Sequence, residues 1–187
     1  LSMGSLVTAS SCAPSGDSSL KQNVKEGEDG QFLFIGDDIA IAQTEYGKVQ
    51  GYLLNHVYTF LGVPYGADTS GKNRFMPPQK PEPWTDVRPA VFYGNTAPQR
   101  MENRWPNNYG TFADHWNYWD VSEDCLYLNV WTPGIADGKK RPVLVWLHGG
   151  GFTNGSGIEQ DGYHGENISR EGDIVFCSIN HRLGPIG

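Results

Sequence analysis

Apolar and polar residues follow two different patterns along this chain. Residues 38–55, DIAIAQTEYGKVQGYLLN, alternate apolar and polar positions on both sides of Gly47, and this alternation predicts an antiparallel hairpin. Residues 57–66, VYTFLGVPYG, predict a further short strand that ends at a proline-containing turn. The early part of the folded region is therefore expected to be antiparallel.

The later segments are continuously apolar instead. CLYLNVWTP at 125–133, RPVLVWLH at 141–148 and GDIVFCSIN at 172–180 each predict a strand, and the last two are typical of sheets covered on both faces. Residues 158–171 between those two predict a short helix. Two buried strands joined by a crossover indicate a parallel sheet. The predicted fold class is α/β, with antiparallel lead-in strands followed by parallel strands.

Prolines crowd residues 71–99, which we call the proline-rich arm, and they argue against regular structure there. We expect this arm to wrap around the surface and to be pinned by Phe75, Trp84 and Phe92. Residues 100–120, RMENRWPNNYGTFADHWNYWD, follow as a loop rich in aromatic residues.

Charge and composition exclude several classes of function. The formal net charge is −7 at pH 7 and no basic run is present, so we predict no nucleic-acid partner. No apolar stretch reaches the roughly 20 residues that a transmembrane helix needs. The five histidines show no metal-ligand spacing such as H-E-x-x-H, and the three cysteines form no C-x-x-C pair. Cys177 lies inside an apolar strand pattern and is expected to be a small buried residue.

Residues 1–30 are predicted to be an export-signal remnant with a flexible linker, and residues 31–187 to form the folded region. Ala9-Ser10-Ser11-Cys12 is similar to a bacterial lipobox, whose cysteine would carry a lipid anchor. The alternative is an ordinary disordered N-terminus with a chance cysteine. We expect an exported protein, either a periplasmic or cell-envelope lipoprotein or a secreted one. The chain begins with Leu1 and ends soon after a strand, so we also expect it to be incomplete.

The sequence HGGGF, residues 148–152, follows the apolar strand directly. Consecutive glycines adopt positive φ without strain, and their N–H groups can converge on one anion. One interpretation is a flexible turn, and a second is a phosphate loop, although G-x-x-x-x-G-K-[ST] is absent. The third is an oxyanion hole of the HGGG type that esterases and lipases use. No G-x-S-x-G is present, so the chain holds the electrostatic half of such a site without the nucleophile.

Several further motifs accompany this loop. SEDCLYLNVWTP at 122–133 resembles the second signature of the carboxylesterase type B family, which includes the cholinesterases. The other matches keep the order and spacing of that family: FLGVPYG (60–66), RFMPP (74–78), PW (83–84), HGGGF (148–152) and NHRLGPIG (180–187). The resemblance covers about residues 38–187 and implies the N-terminal portion of an α/β-hydrolase fold. The family's serine elbow, catalytic acid and histidine would all lie beyond Gly187.

The resemblance also assigns roles within the glycine motif. Gly150 and Gly151 would donate their N–H groups to the oxyanion, and Gly149 would support the turn. Phe152 would line the neighbouring wall of the substrate site. His181 stands where the family most often has tyrosine, and we expect it to change packing without becoming a catalytic base.

Two further assignments concern the rest of the chain. The resemblance pairs Arg74 with Glu123, an ion pair that would pin the proline-rich arm to the sheet. Many members also bridge the signature cysteine to a cysteine just before Pro-Gln. In this chain Ala97 precedes Pro98-Gln99, so Cys125 is expected to lack that disulfide partner.

Trp116, in the aromatic loop, lies near the place where cholinesterases carry a tryptophan that binds a quaternary ammonium. It would line the substrate site as a gorge wall, provide a sugar-stacking platform, or pack the loop onto the domain. These three interpretations stay open.

The resemblance implies a carboxylic ester hydrolase that acts through a serine acyl-enzyme, in the full-length protein. The expected partner is a small-molecule ester, and no metal or organic cofactor is required. The alternative is a catalytically inactive adhesion protein on the same fold, like the neuroligins. A third hypothesis, a sugar-binding module, rests only on the tryptophans. The chain of residues 1–187 alone is expected to hydrolyse no ester.

Overall fold

The computed structural model describes residues 32–99 and 120–187. Within these ranges the chain forms strands in two sheets, one short α-helix and three 3₁₀ turns. The strands are β1 (Leu33–Phe34), β2 (Ile41–Gln43), β3 (Lys48–Gln50), β4 (Tyr52–Leu54), β5 (Val57–Pro64), β6 (Arg88–Pro89), β7 (Tyr127–Thr132), β8 (Val143–Leu147) and β9 (Val175–Ile179). The helix α1 spans Glu166–Gly172, and the 3₁₀ turns span Gly71–Asn73, Asp161–Tyr163 and Gly184–Ile186.

The larger sheet has six strands in the order β1-β4-β5-β7-β9-β8. Every neighbouring pair is antiparallel except β8 and β9, which are parallel and joined through α1. The sheet is therefore mixed, and its parallel part is confined to one edge. This architecture confirms the α/β class and the antiparallel lead-in, with a short helix in the predicted crossover.

The predicted hairpin around Gly47 is confirmed by the antiparallel pairing of β2 with β3. Its second arm is not one strand, however, because it crosses at Gly51 from the small sheet β2-β3-β6 into the large one. A Cβ on Gly51 would collide with the carbonyl of Thr59, so the crossing depends on the close approach of two backbones.

The core of the large sheet lies in its middle. Val57, Leu61, Trp131 and Phe176 form one buried cluster from β5, β7 and β9, and Trp131 is only 1% exposed. The ring of Trp131 also meets the edge of His164, at 5.0 Å between ring centroids. Helix α1 packs on all three strands, which contributes to the burial of this cluster.

Strand β8 differs from the expectation that both of its faces are covered. All five side chains are exposed, from 37% for Leu144 to 64% for Val143. The reason is that the described part of the chain places no layer on the two faces of β8, which is also the outer strand of the sheet there. Helix α1 packs on β5, β7 and β9 and leaves β8 uncovered.

The proline-rich arm is attached by one of the three aromatic residues predicted to pin it. Trp84 packs against the core and donates from Nε1 to the Lys48 carbonyl at 2.8 Å, as expected of an anchor. Phe75 and Phe92 are 68% and 69% exposed, so the prediction that they pin the arm is wrong. The arm also contains the short strand β6, so the expectation that it lacks regular structure is wrong there. Further attachments come from three residues in the core clusters and from two ion pairs: Ala90, Tyr93 and Ala97, and Arg74–Glu123 and Lys80–Glu45.

Candidate active site

The glycine motif lies at the edge of the sheet where β8 and β9 end side by side. Leu147 is aligned with Ile179 in the parallel pair, so the segments that follow both strands leave the sheet at the same place. These segments are the glycine loop, residues 148–155, and the last loop, residues 180–184. Carboxyl ends of parallel strands are the usual location of ligand sites in α/β folds.

Three consecutive residues of the glycine loop have a left-handed backbone. Gly150 has φ 119°, Gly151 has φ 61° and Phe152 has φ 59°. Glycine adopts such angles freely, whereas for phenylalanine they are uncommon and costly. Strained residues of this kind cluster at functional sites, where surrounding contacts enforce them. The run therefore marks a backbone shape that the loop maintains despite its cost.

The hydrogen bonds in the middle of the glycine loop converge on one carbonyl group. The Gly150 carbonyl accepts from the Thr153 N–H at 3.1 Å, from the Thr153 hydroxyl at 2.9 Å and from the Asn154 N–H at 3.3 Å. Among the described residues, the N–H groups of Gly150 and Gly151 donate to no protein acceptor. Both glycines are exposed. Two adjacent amides are thus available to an anion while the carbonyl between them is engaged.

The three glycines differ in what a side chain would meet. A Cβ on Gly150 would collide with the Asn154 carbonyl, so only glycine fits there. Gly151 has open space but a positive φ, so a side chain would be strained and not blocked. Gly149 has open space, and its φ is outside the positive range. The steric demand for glycine is greatest at Gly150.

His148 and His181 stack face to face, with ring centroids 4.4 Å apart and an angle of 2° between the planes. His148 is buried, and its Nδ1 lies 2.8 Å from the Gly149 carbonyl. The ring of Phe152 lies 6.2 Å from His181, and the Gly184 N–H donates to the Phe152 carbonyl at 2.7 Å. The last loop therefore braces the glycine loop at both ends of HGGGF.

Sequence reasoning did not foresee this stack, although it gave His181 a packing role. The signal was present in the order of elements, because each histidine follows a predicted strand of the same parallel pair. Parallel neighbours bring such positions to one edge of the sheet.

Asn180 joins the last loop to the rest of the site. It is 3% exposed, and its Oδ1 accepts from the Gly157 N–H at 2.8 Å. Its Nδ2 donates to the Asn95 carbonyl at 3.0 Å, and its own carbonyl accepts from the Tyr65 hydroxyl at 2.6 Å. Burial raises the pKa of that tyrosine well above its usual range, so the phenol stays a donor.

Arg74 and Glu123, which are both far from the glycine loop in sequence, form an ion pair. The Arg74 Nε donates to Glu123 Oε2 at 2.8 Å, and the Thr69 hydroxyl donates to the Glu123 carbonyl. The carboxylate of Glu123 raises the pKa of the Arg74 guanidinium. Arg182 donates to the Met76 carbonyl at 2.8 Å, which links the same part of the arm to the last loop.

Cys125 is buried, has a free thiol and packs in one cluster with Ala97, Leu126 and Leu183. Ala97 is thus in the same pocket as Cys125, and its methyl group provides no sulfur with which Cys125 could form a disulfide. Burial raises the pKa of the Cys125 thiol to about 12, so the thiol stays protonated and is a poor nucleophile. Cys177 is buried too, as predicted, and its thiol pKa is likewise raised to about 12.

Two residues singled out from the sequence, Trp116 and Cys12, lie outside the described ranges. Across residues 32–99 and 120–187, no group of three metal-ligating side chains comes together. Over the same ranges, no helix is long and apolar enough to cross a membrane.

A glycine loop at the carboxyl end of a parallel strand, on a mixed sheet with a crossover helix, is an α/β arrangement. The profile of the Carboxylesterase family matches residues 38–187, and the chain belongs to this family.

Named relatives agree with that assignment. The chain is 44% identical over 147 residues to Phenmedipham hydrolase of Pseudarthrobacter oxydans, covering 79% of this chain and 29% of that protein. It is 39% identical over 150 residues to Para-nitrobenzyl esterase of Bacillus subtilis (strain 168), covering 79% and 28%. A solved structure of an esterase from Clostridium hathewayi that can hydrolyse aliphatic aromatic polyesters superposes with a TM-score of 0.74 at 38% identity, covering 84% and 30%.

The chain therefore spans less than a third of the length of these relatives. The match shows the family and the fold.

Proposed function

We propose that this chain is the N-terminal part of a carboxylic ester hydrolase and that it supplies the oxyanion-binding loop. The whole protein would use a serine nucleophile from a segment outside residues 1–187. The substrate class is a small-molecule ester. The observation that carries the proposal is the pair of exposed, uncommitted amides of Gly150 and Gly151 on a left-handed backbone.

The chemistry that these amides supply is electrostatic. When a serine hydroxyl adds to an ester carbonyl, the carbonyl oxygen becomes an oxyanion and needs hydrogen-bond donors that are already in place. Gly150 and Gly151 would provide two such donors without reorganisation, because the carbonyl of Gly150 is held by Thr153 and Asn154. Each donor of this kind is worth about 2.7–4 kcal/mol in the transition state.

The remaining steps would follow from groups of the whole protein. A histidine, oriented by an acidic residue, would take the serine proton and return it to the leaving alcohol. Water would then attack the acyl-enzyme and release the acid. The exposed Phe152 is proposed to line the substrate site, together with Trp116 of the aromatic loop. Gly149 would support the turn, and the Arg74–Glu123 pair would hold the arm in place.

Export belongs to the proposal as well. The lipobox-like Ala9-Ser10-Ser11-Cys12 and the polar linker after it support a protein carried across a membrane, with Cys12 as its lipid anchor. Residues 1–30 would then act as a tether and leave the folded region facing an aqueous compartment.

The test uses the whole protein and the 187-residue chain side by side. We expect the whole protein to hydrolyse p-nitrophenyl acetate and to be labelled by a fluorophosphonate, which reacts with activated serines. We expect the chain alone to do neither, since it contains no G-x-S-x-G. A whole protein that folds but neither turns over ester nor takes the label would contradict the proposal and favour the neuroligin-like alternative.

A further inference from the structure

Gln99 holds the far end of the glycine loop through both atoms of its side-chain amide. Its Oε1 accepts from the Gly155 N–H at 2.7 Å, and its Nε2 donates to the Gly155 carbonyl at 2.9 Å. One side chain thus satisfies both backbone groups of one residue, as a neighbouring strand would. Nε2 also donates to the Ala97 carbonyl at 3.2 Å, which fixes the glutamine to its own segment.

Gly155, which Gln99 binds, also packs against the first residues of the glycine loop. It is buried and has φ 112°, a backbone that disfavours any side chain. A Cβ on Gly155 would collide with the Gly149 carbonyl and with the imidazole of His148. The end of the loop therefore lies directly against its first two residues, so a shift of Gly155 would displace His148 and Gly149.

The loop is closed between these points. The Asn154 N–H donates to the Gly150 carbonyl at 3.3 Å, and the Asn154 carbonyl fills the space in which a Gly150 Cβ would stand. Asn154 is the neighbour of Gly155. Two short paths thus connect Gln99 to the glycines, one through Gly155 to Gly149 and one through Asn154 to Gly150.

We propose that Gln99 is a positioning residue of the oxyanion-binding loop. It lies 50 positions before Gly149 in a segment that no glycine motif includes, and it contacts the glycine loop through hydrogen bonds to Gly155. The inference rests on the proposed function, because it specifies how the amides of Gly150 and Gly151 are kept in place. Oxyanion contacts are made in the transition state, so loosening the loop should lower kcat and leave KM nearly unchanged.

The test replaces Gln99 by methionine in the whole protein. Gln99→Met removes both hydrogen bonds to Gly155 at similar side-chain volume. Gln79→Met is the matched control, because Gln79 is an exposed glutamine of the same arm whose side chain donates to the nearby Pro77 carbonyl and does not contact the glycine loop in the described part of the chain.

We expect Gln99→Met to lower kcat for p-nitrophenyl acetate by about 10- to 100-fold, the scale on which small misplacements act. KM should stay nearly constant. Affinity for a trifluoromethyl ketone, which forms a tetrahedral adduct with the serine, should weaken in the same proportion. Gln79→Met should change none of these values.

Amide hydrogen exchange gives a second readout that needs no turnover. Exchange of the peptide covering 149–157 should become faster by about tenfold in Gln99→Met, the factor for one lost hydrogen bond, and stay unchanged in Gln79→Met. Unchanged exchange, or an unchanged kcat in an active protein, would overturn the inference. If the unmodified protein hydrolyses no ester, the proposed function fails, and exchange alone decides whether Gln99 holds the loop.

Discussion

The middle and the edge of the six-stranded sheet both contain strands rich in apolar residues but differ in what covers them. In the middle, β5 lies between β4 and β7, and its side chains are mostly buried. At the edge, β8 has β9 on one side, and all five of its side chains are exposed. The apolar core therefore belongs to the middle, and the glycine loop follows the exposed strand.

This difference separates the residues that stabilise the chain from those that would perform chemistry. The middle is stabilised by side-chain burial, whose contribution grows with the apolar area removed from water. The edge is attached by backbone pairing with β9, by the stack of His148 on His181 and by ion pairs of Arg141. Substitutions in the middle should change stability first, and substitutions at the edge should change activity first.

The largest effect is expected for Trp131→Ala in the middle of the sheet. Trp131 is 1% exposed and packs against Val57, Leu61 and Phe176. Its removal leaves a large cavity, so the free energy of unfolding should fall by about 3–5 kcal/mol. Urea denaturation of the chain, followed by circular dichroism, measures this loss.

Leu147→Ala on β8 is the contrasting variant. Leu147 is 63% exposed, so we expect its substitution to change the stability of the chain by no more than about 0.5 kcal/mol. In the whole protein the loss should approach the roughly 2–5 kcal/mol of a buried leucine, because such strands are typical of covered sheets. Equal losses for Trp131→Ala and Leu147→Ala in the chain would remove the distinction between middle and edge.

The next largest effect concerns activity. Gly150→Ala introduces a Cβ that collides with the Asn154 carbonyl, so the donors of the glycine loop should move. We expect kcat of the whole protein to fall by about 100-fold or more, while its thermal unfolding temperature changes little. Gly162→Ala is the matched control, since a Cβ there meets open space and Gly162 lies outside the glycine loop. Similar activity in both variants would argue against an oxyanion role for this loop.

These contrasts show which features sequence reasoning could supply. The hairpin and the strands follow from hydrophobic patterns, which are local to each segment, and the short helix follows from the crossover between two such strands. The exposure of β8 could not be predicted from its composition, because the sequence of an apolar strand does not show whether another element packs on its faces. Its exposure depends on the position of β8 in the sheet, which is a property of the whole chain.

Residues around the glycine loop divide in the same way. HGGGF can be recognised in the sequence because consecutive glycines permit a local backbone conformation that other residues disfavour. Gln99 and the His148–His181 stack are not visible, because each contact joins residues that are far apart in sequence. Phe75 and Phe92 show the opposite failure: aromatic side chains in a proline-rich segment suggested anchors, yet both are exposed. Long-range contacts decide these cases.

A smaller effect is expected for Glu123→Gln, which weakens the ion pair with Arg74. The arginine side chain is 48% exposed and the glutamate side chain 22%, so solvent screens much of the attraction. We expect a modest loss of thermal stability and faster proteolysis within the proline-rich arm. Glu82→Gln, at an exposed glutamate of the same arm, should leave both unchanged. If the two variants behave alike, the pair does not hold the arm.

The smallest effect should appear only in acid, at the polar attachment of β8. Arg141 binds Asp137 and Asp173, each at 2.7 Å, and joins the segment before β8 to the end of α1. The hydrogen bond from Arg141 lowers the pKa of Asp137 from 3.8 to about 2. A lowered carboxyl pKa contributes stability fully above the unfolded value of 3.8 and loses it as the pH falls through about 2. Unfolding measured from pH 4 to pH 2 should therefore show a shallower pH dependence in Asp137→Asn than in the unmodified chain.

Added salt is the control for this prediction. Because Asp137 and Asp173 are both exposed, salt should screen their attraction to Arg141, and the difference between the two proteins should shrink. A difference that stays the same in high salt would mean that these ion pairs are shielded from solvent, which would contradict the exposed edge described above.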